Sequence, residues 1–165
     1  MLEPPTAIPP AVATAEARGV VALRPSLSSE AIHDCVRDLV EAWQRGSLDD
    51  LTTLLASDAG PIEARARGPG ALTEAWRQRL RAREYRRLEG MDLVRPERVE
   101  HYSYGELGGE GAPARPADMH PDETYVRVPL EVTQVNGEKY FEGTIVLLLR
   151  GDHGRAKITA YGEVP

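Results

Sequence analysis

The apolar positions of this chain follow a helical period before residue 90 and a strand period after it. Five of them lie at helical spacing and define one face of a first helix: Ile32, Val36, Leu39, Val40 and Trp43. Ser28 precedes this run as an N-cap, and Gly46 follows it as a helix end. The pattern therefore predicts an amphipathic helix between Ser28 and Gly46.

Two more helices are predicted before the period changes. Ser47 begins a second, shorter helix with a leucine-rich buried side, and Gly60-Pro61 ends it. Residues 61–67 alternate weakly and indicate a short strand. A third helix is predicted from about Ala71 to Leu88, with Trp76 in its apolar stripe.

From Met91 onward the apolar positions recur at every second residue, which is typical of strands. Leu93, Val99 and His101 share one side of the first of these strands. A Gly/Pro/Ala-rich loop is predicted over 105–122, of a length that is often mobile or functional. Three further strands are predicted at 124–135, 138–149 and 155–164.

Asn136-Gly137 is the strongest hairpin signal in the chain. A two-residue turn there predicts which residues lie opposite each other across the two strands. Three of these residue pairs can be checked: Val135 with Glu138, Val128 with Ile145, and Val126 with Leu147. A four-residue loop over 151–154 predicts two more: Leu147 with Ile158, and Ile145 with Ala160. Both turns give one apolar sheet face. The opposite face is expected to carry three tyrosines and a row of three glutamates: Tyr125, Tyr140, Tyr161, Glu131, Glu142 and Glu163.

These patterns predict an α+β fold in which three N-terminal helices pack on the concave face of a curved antiparallel β-meander. Residues 1–27 hold five of the thirteen prolines and are expected to form a flexible Pro/Ala-rich arm before a domain at 28–165. The apolar run 20–23 in the arm is expected to dock on the domain.

Composition narrows the functional classes. A net charge of −6 argues against a nucleic-acid-binding surface, and no apolar run is long enough to span a membrane. Cys35 is the only cysteine and is expected to be a core residue. No metal site or cofactor is expected. The cytoplasm is the default compartment, and an exported protein that had lost its leader would have the same sequence.

The order of two helices, a short β element, a Gly turn at Arg67-Gly68, a third helix and a meander resembles the nuclear-transport-factor-like superfamily, also called the cystatin-like cone fold. Its polyketide-cyclase-like branch has a similar Gly turn before the third helix. The resemblance implies a sheet that curls into a cone, a ligand pocket at the cone mouth, and a homodimer through the outer sheet face. The interface residues are then expected to be Tyr125, Tyr140 and Tyr161.

Strand parity places His101 inside the cone, where an imidazole could serve as a general acid or base. A histidine that is simply hydrogen-bonded in the structure is the alternative. The residues expected to line a ligand site are Trp43, Trp76, Arg79, Arg83 and Ser103. Guanidinium groups suit carboxylates and phosphates, although long arginine stems also pack at a core edge with paired heads. The glutamate row could bind a cation or be a solvated edge.

Two functions of different class remain open from the sequence. The first is a non-catalytic module that binds a small hydrophobic or anionic ligand or assembles with other proteins, and that forms a homodimer. The alternative is a small cofactor-free isomerase, cyclase or dehydratase that uses His101 as acid or base. A hollow cone lined by His101 would favour the enzyme, and a cone filled by aromatic residues and leucines would exclude catalysis there.

Overall fold

A computed structural model describes residues 27–165, so residues 1–26 of the predicted arm, with the run 20–23, lie outside the described residues. The helices are α1 (Ser29–Arg45), α2 (Leu48–Thr53) and α3 (Gly68–Ala82). The strands are β1 (Leu55–Pro61), β2 (Glu100–Ser103), β3 (Thr124–Pro129), β4 (Gln134–Val135), β5 (Glu138–Lys139), β6 (Thr144–Asp152) and β7 (Arg155–Val164). The α+β class predicted from the sequence is confirmed. The division of the chain into arm and domain stays a prediction.

The first helix begins and ends as its sequence predicts. The Ser28 hydroxyl accepts a hydrogen bond from the Ala31 N–H, and Gly46 adopts a left-handed conformation with φ of 65°. Ser47 caps α2 in the same way, through the Asp50 N–H. Local side-chain chemistry therefore fixes this part of the fold.

The second and third helices are both shorter than predicted. The chain leaves α2 at Thr53, and β1 pairs in parallel with β7, so the strand precedes the predicted range 61–67. Gly60 is needed there, because a Cβ atom on it would lie 2.4 Å from the Arg65 carbonyl oxygen. Helix α3 ends at Ala82, and a 3₁₀ turn over Tyr85–Leu88 follows.

The main sheet has the strand order β1-β7-β6-β3-β2, and all of its pairs except β1·β7 are antiparallel. The register predicted from Asn136-Gly137 is confirmed at three pairs: Val135–Glu138, Val128–Ile145 and Val126–Leu147. Between them the strands separate, so β4 and β5 form a two-stranded tip.

The register predicted for the last hairpin is wrong. Its loop has two residues, with Asp152 opposite Arg155, and the pairing shifts after Ile158. Leu147 therefore lies opposite Tyr161. The irregularity reverses the parity of the following residues, so that Tyr161 joins the inner core and Ala160 joins the outer one.

The inner sheet face and the helices enclose the larger core, and we call the space between them the cone. The outer sheet face is covered by the chain itself. Leu107 and Met119, from the segment 104–123, pack there on Val146 and Leu148, and Ile62 packs beside them. The long loop expected at 105–122 thus closes the face on which the sequence placed a dimer.

A buried ion pair holds this covering segment in place. The Arg65 guanidinium donates to both Glu123 carboxylate oxygens at 2.8 and 2.6 Å, and the Glu123 side chain is fully buried. Asp118 accepts a hydrogen bond from the Arg65 N–H, at 3.1 Å. Arg150 lies 3.9 Å from Glu123 and bonds to Asp58. Asp58 and Glu123, at the two ends of the segment 58–123, therefore lie close to the same two guanidinium groups.

We expect Glu123→Gln to destabilise the protein by about 3–5 kcal/mol, because the buried Arg65 charge loses its bidentate partner and keeps as its carboxylate neighbour the half-exposed Asp58, 3.7 Å away. Urea denaturation followed by circular dichroism measures this change. Asp34→Asn is the control, since the Asp34–Arg37 pair is more than half exposed and should cost no more than about 1 kcal/mol. An unchanged midpoint for Glu123→Gln would show that the ion pair does not hold the segment.

Candidate functional site

Aromatic side chains fill the cone. Trp43 of α1 is fully buried, and its ring centroid lies 5.9 Å from Trp76, 4.9 Å from Tyr85 and 5.8 Å from Phe141. Trp76 in turn makes an edge contact with Tyr161 at 5.0 Å. These offset and edge-to-face contacts are the arrangements that aromatic rings prefer in cores.

A single guanidinium group enters this aromatic cluster. Arg79 projects from α3, and its Cζ atom lies 5.0 Å from the ring centroid of Trp43 and 5.4 Å from that of Phe141. Its two terminal nitrogens bind the Glu163 carboxylate and the Tyr140 carbonyl oxygen. The exposed fractions of the two side chains are 28% for Arg79 and 10% for Glu163. The cone thus contains a largely buried charge that is paired with a carboxylate.

Two tyrosine hydroxyls complete this polar group. The Tyr161 hydroxyl donates to Glu163 at 2.6 Å, and burial together with that carboxylate raises the pKa of Tyr161 well above its usual value. Burial likewise raises the pKa of Tyr85 to about 12. Burial acts to lower the pKa of Arg79, but the charge and hydrogen bond of Glu163 together with Tyr161 and Tyr85 outweigh it, and the pKa is raised. At neutral pH these hydroxyls are donors and the guanidinium stays charged, so none of the three serves as a base.

The two indole N–H groups in the cone have no hydrogen-bond partner among the described residues. The Nε1 atoms of Trp43 and Trp76 are both buried and unpaired. An unpaired buried donor costs roughly 1–3 kcal/mol. Ring packing around Trp43 and Trp76 offsets this cost, and the arrangement indicates that shape complementarity dominates the interior.

The structure brings together three of the five residues predicted for a ligand site. Trp43, Trp76 and Arg79 meet in the cone, as core groups that contact one another. Arg83 lies outside, where its Nε donates to the Lys139 carbonyl at 2.6 Å. Ser103 is remote from them and forms a capping box with Glu106 at the start of a 3₁₀ turn.

His101 does not lie inside the cone. It pairs with Val126 across β2 and β3, so its predicted parity is correct, but its side chain is exposed. The reason is that β2 is an edge strand of the sheet. The interior position predicted for His101 is therefore wrong.

The predicted interface tyrosines do not share a surface. Tyr140 and Tyr161 are core residues with exposed fractions of 1% and 5%, while Tyr125 packs under the outer segment. The expected glutamate row is absent from the described sheet as well. Glu163 turns inward to Arg79, and Glu131 bonds to Arg98 at 2.6 Å.

Other reactive groups offer little chemistry. Cys35 is buried, and burial raises the pKa of its thiol to about 12, so the nucleophilic thiolate is scarce at neutral pH. Within residues 27–165, no group of three or more His, Cys, Asp or Glu side chains is placed to hold a metal ion. No helix of the same range is long and apolar enough to cross a bilayer.

An open pocket lies beside the closed cone. It has a volume of about 380 Å³ and is bounded by the end of α1, the end of α3 and the 3₁₀ turn after it. Arginines dominate its wall, and the full lining is Arg45, Gly46, Leu80, Arg83, Glu84, Tyr85, Arg86 and Arg87. Tyr85 belongs both to this pocket and to the aromatic cluster. The sequence predicted one of these residues, Arg83, for a ligand site, but it placed Arg86 and Arg87 in the third helix and so did not predict the pocket itself.

No protein-family model matches the chain, and no curated protein matches it significantly. Solved structures similar in fold include a proposed aromatic ring hydroxylase from Novosphingobium aromaticivorans, with 15% identity, 81% of this chain and 85% of that chain covered, and a TM-score of 0.46. Another is a protein of unknown function with a cystatin-like fold from Nostoc punctiforme, with 13% identity, 83% and 92% covered, and a TM-score of 0.44. The site is therefore interpreted from its own geometry.

We expect Arg79→Met to cost about 3 kcal/mol, because the Glu163 carboxylate loses its partner while it stays mostly buried. The double variant Arg79→Met/Glu163→Gln should be less destabilised than the sum of its single variants. Urea denaturation of the four proteins gives the coupling energy. Arg77→Met is the control, since Arg77 lies on the same helix and pairs with the exposed Glu74. Additive effects would show that the pair does not act as a unit.

Proposed function

We propose that this protein is a non-catalytic binding module in which the cone is a packed core and the ligand contacts lie outside it. The observation that carries the proposal is the filling of the cone by Trp43, Trp76, Tyr85 and Phe141 around the paired Arg79. A substrate needs free volume beside a reactive group. Here the reactive groups of the cone are engaged with one another.

The alternative, a cofactor-free enzyme with His101 as acid or base, has less support. His101 is exposed on an edge strand and lines neither the cone nor the arginine-lined pocket beside it. Ser103, which lies on the same strand as His101, is engaged with Glu106. General acid–base catalysis needs a group within hydrogen-bond reach of a positioned substrate, and His101 has no such enclosure around it.

The same geometry supports an anionic ligand over a hydrophobic one. A hydrophobic ligand finds no space among the cone rings, whereas an anionic ligand meets Arg83 and its neighbours at the pocket beside the cone. Homodimerisation stays a prediction. The outer sheet face is a poor candidate for it, since Val146, Leu148 and Ala160 are already buried under the chain's own residues.

Tryptophan fluorescence tests the proposal, because both tryptophans of the chain lie in the cone. We expect acrylamide to quench the native protein far less than the urea-unfolded protein, since packed rings exclude a solute of that size. Trp76→Phe isolates the Trp43 signal and should quench as weakly as the wild type. Tyr102→Phe, a half-exposed position outside the cone, is the control for aromatic substitution.

Efficient quenching of the folded protein would contradict the proposal, because it would show that small molecules enter the cone. Circular dichroism on the same samples confirms that each variant is folded. Weak quenching in both the wild type and Trp76→Phe is the expected result.

A further inference from the structure

The arginine pocket beside the cone is formed by the way the chain is anchored around it. Tyr85 and Leu88 are buried at one side of their 3₁₀ turn, with exposed fractions of 2% and 0%. Arg86 and Arg87 stand between these anchors and are exposed. Arg83 leaves α3 in an extended conformation, which carries the chain from the helix into this turn. The guanidinium groups are therefore presented by a fixed backbone.

The charges of the pocket are unequally paired. Arg45 bonds to Asp50 at 2.8 Å, and Arg87 bonds to Glu84 at 3.2 Å. Within the part of the chain that the structure describes, no carboxylate lies within ion-pair distance of Arg83 or Arg86. The protein as a whole has 26 acidic and 20 basic side chains. Two unpaired arginines on one small pocket are therefore a local excess of positive charge in an acidic molecule.

Such an excess favours an anion for physical reasons. Guanidinium groups present planar pairs of N–H donors that match the oxygens of phosphates and carboxylates. Neighbouring like charges repel one another, and a bound anion with two or more charges relieves that repulsion. Leu80 and Tyr85 give the same pocket an apolar wall. Its volume of about 380 Å³ lies in the range of small-molecule sites.

We propose that the pocket formed by Arg45, Arg83, Arg86 and Arg87 binds a small multivalent oxyanion, one that carries phosphate or several carboxylate groups. Arg83 and Arg86 make the principal contacts, and the paired Arg45 and Arg87 border the site. This inference rests on the proposed function, since it places the ligand outside a closed cone. The net charge of −6 favours a small anion over a nucleic acid, which the rest of the surface would repel.

Isothermal titration calorimetry at low ionic strength tests this site, with inorganic pyrophosphate and citrate as the two probes. We expect a saturable one-to-one titration for at least one of them, and their ratio of affinities separates the phosphate class from the carboxylate class. Arg86→Ala should weaken binding about ten-fold or more, because it removes a charge-assisted contact. Arg83→Ala should do the same.

Arg81→Ala is the matched control, because it removes one positive charge from α3 at an exposed position outside the pocket. It should weaken binding clearly less than Arg86→Ala does, since it removes the same charge from the neighbourhood without removing a contact to the anion. Thermal unfolding checks that each variant is folded. Arg86→Ala is the safer of the two test variants, because Arg83 also bonds to the Lys139 carbonyl.

The site is overturned if neither probe binds at millimolar concentration, or if Arg81→Ala weakens binding as much as Arg86→Ala. Tighter binding of a single-stranded oligonucleotide than of both small anions, with the same arginine dependence, would overturn the small-molecule assignment. If neither anion binds and the tryptophans are shielded from acrylamide, the proposed anion site is rejected, while the proposal of a packed, non-catalytic module is kept. Accessible tryptophans would instead remove the proposed function, whatever the titration shows.

Discussion

The burial of the Arg79 charge is the constraint on which the interior of this protein depends. A guanidinium that leaves water needs a counter-charge and hydrogen-bond acceptors, or its desolvation penalty is not offset. Here Glu163 supplies the charge, the Tyr140 carbonyl supplies an acceptor, and Trp43 and Phe141 supply ring faces. These partners come from different elements, so α1, α3, β7 and the segment after β5 are all fixed relative to one guanidinium. The polar and aromatic groups of the cone that could have contacted a ligand contact the Arg79 guanidinium instead.

A second buried pair has the same role on the other side of the sheet. Arg65 and Glu123 hold the segment 104–123 over the outer face, where it buries Val146 and Leu148. Both faces of the sheet are therefore closed by the chain itself. Surfaces for partners or ligands are left at the rim, and the rim next to the cone is rich in arginine. This distribution is why a binding function outside the core fits the molecule better than chemistry inside it.

Much of the fold could be predicted because local signals determine it. Ser28, Gly46 and Asn136-Gly137 act through their own backbone and side-chain chemistry, and each has the expected effect in the structure. The irregularity after Ile158 could not be predicted, since Thr159, Ala160 and Tyr161 fit either face of a strand. That single shift turned Tyr161 and Glu163 inward, and so took one tyrosine out of the expected interface and one glutamate out of the expected row.

The candidate site was harder to predict than the fold. Trp43, Trp76 and Arg79 were identified from helical spacing, but spacing does not show whether such residues line a cavity or fill it. For His101, parity gave the correct side of the strand and could not show that the strand lies at an uncovered edge. The positions of Arg86 and Arg87 could not be predicted, because both residues fit a continuation of the third helix. In the structure they lie in a 3₁₀ turn whose Tyr85 and Leu88 are buried.

The closed cone is the central claim, and hydrogen exchange of the two tryptophan indole N–H groups tests it most directly. Neither group has a hydrogen-bond partner among the described residues, so any protection of these protons comes from exclusion of water alone. Two-dimensional NMR resolves both signals, because the chain has two tryptophans. The account predicts exchange only through global unfolding, at rates that match those of the core amides in β6. Exchange of either indole proton near the rate of an exposed indole would show that water enters the cone, and would contradict the account.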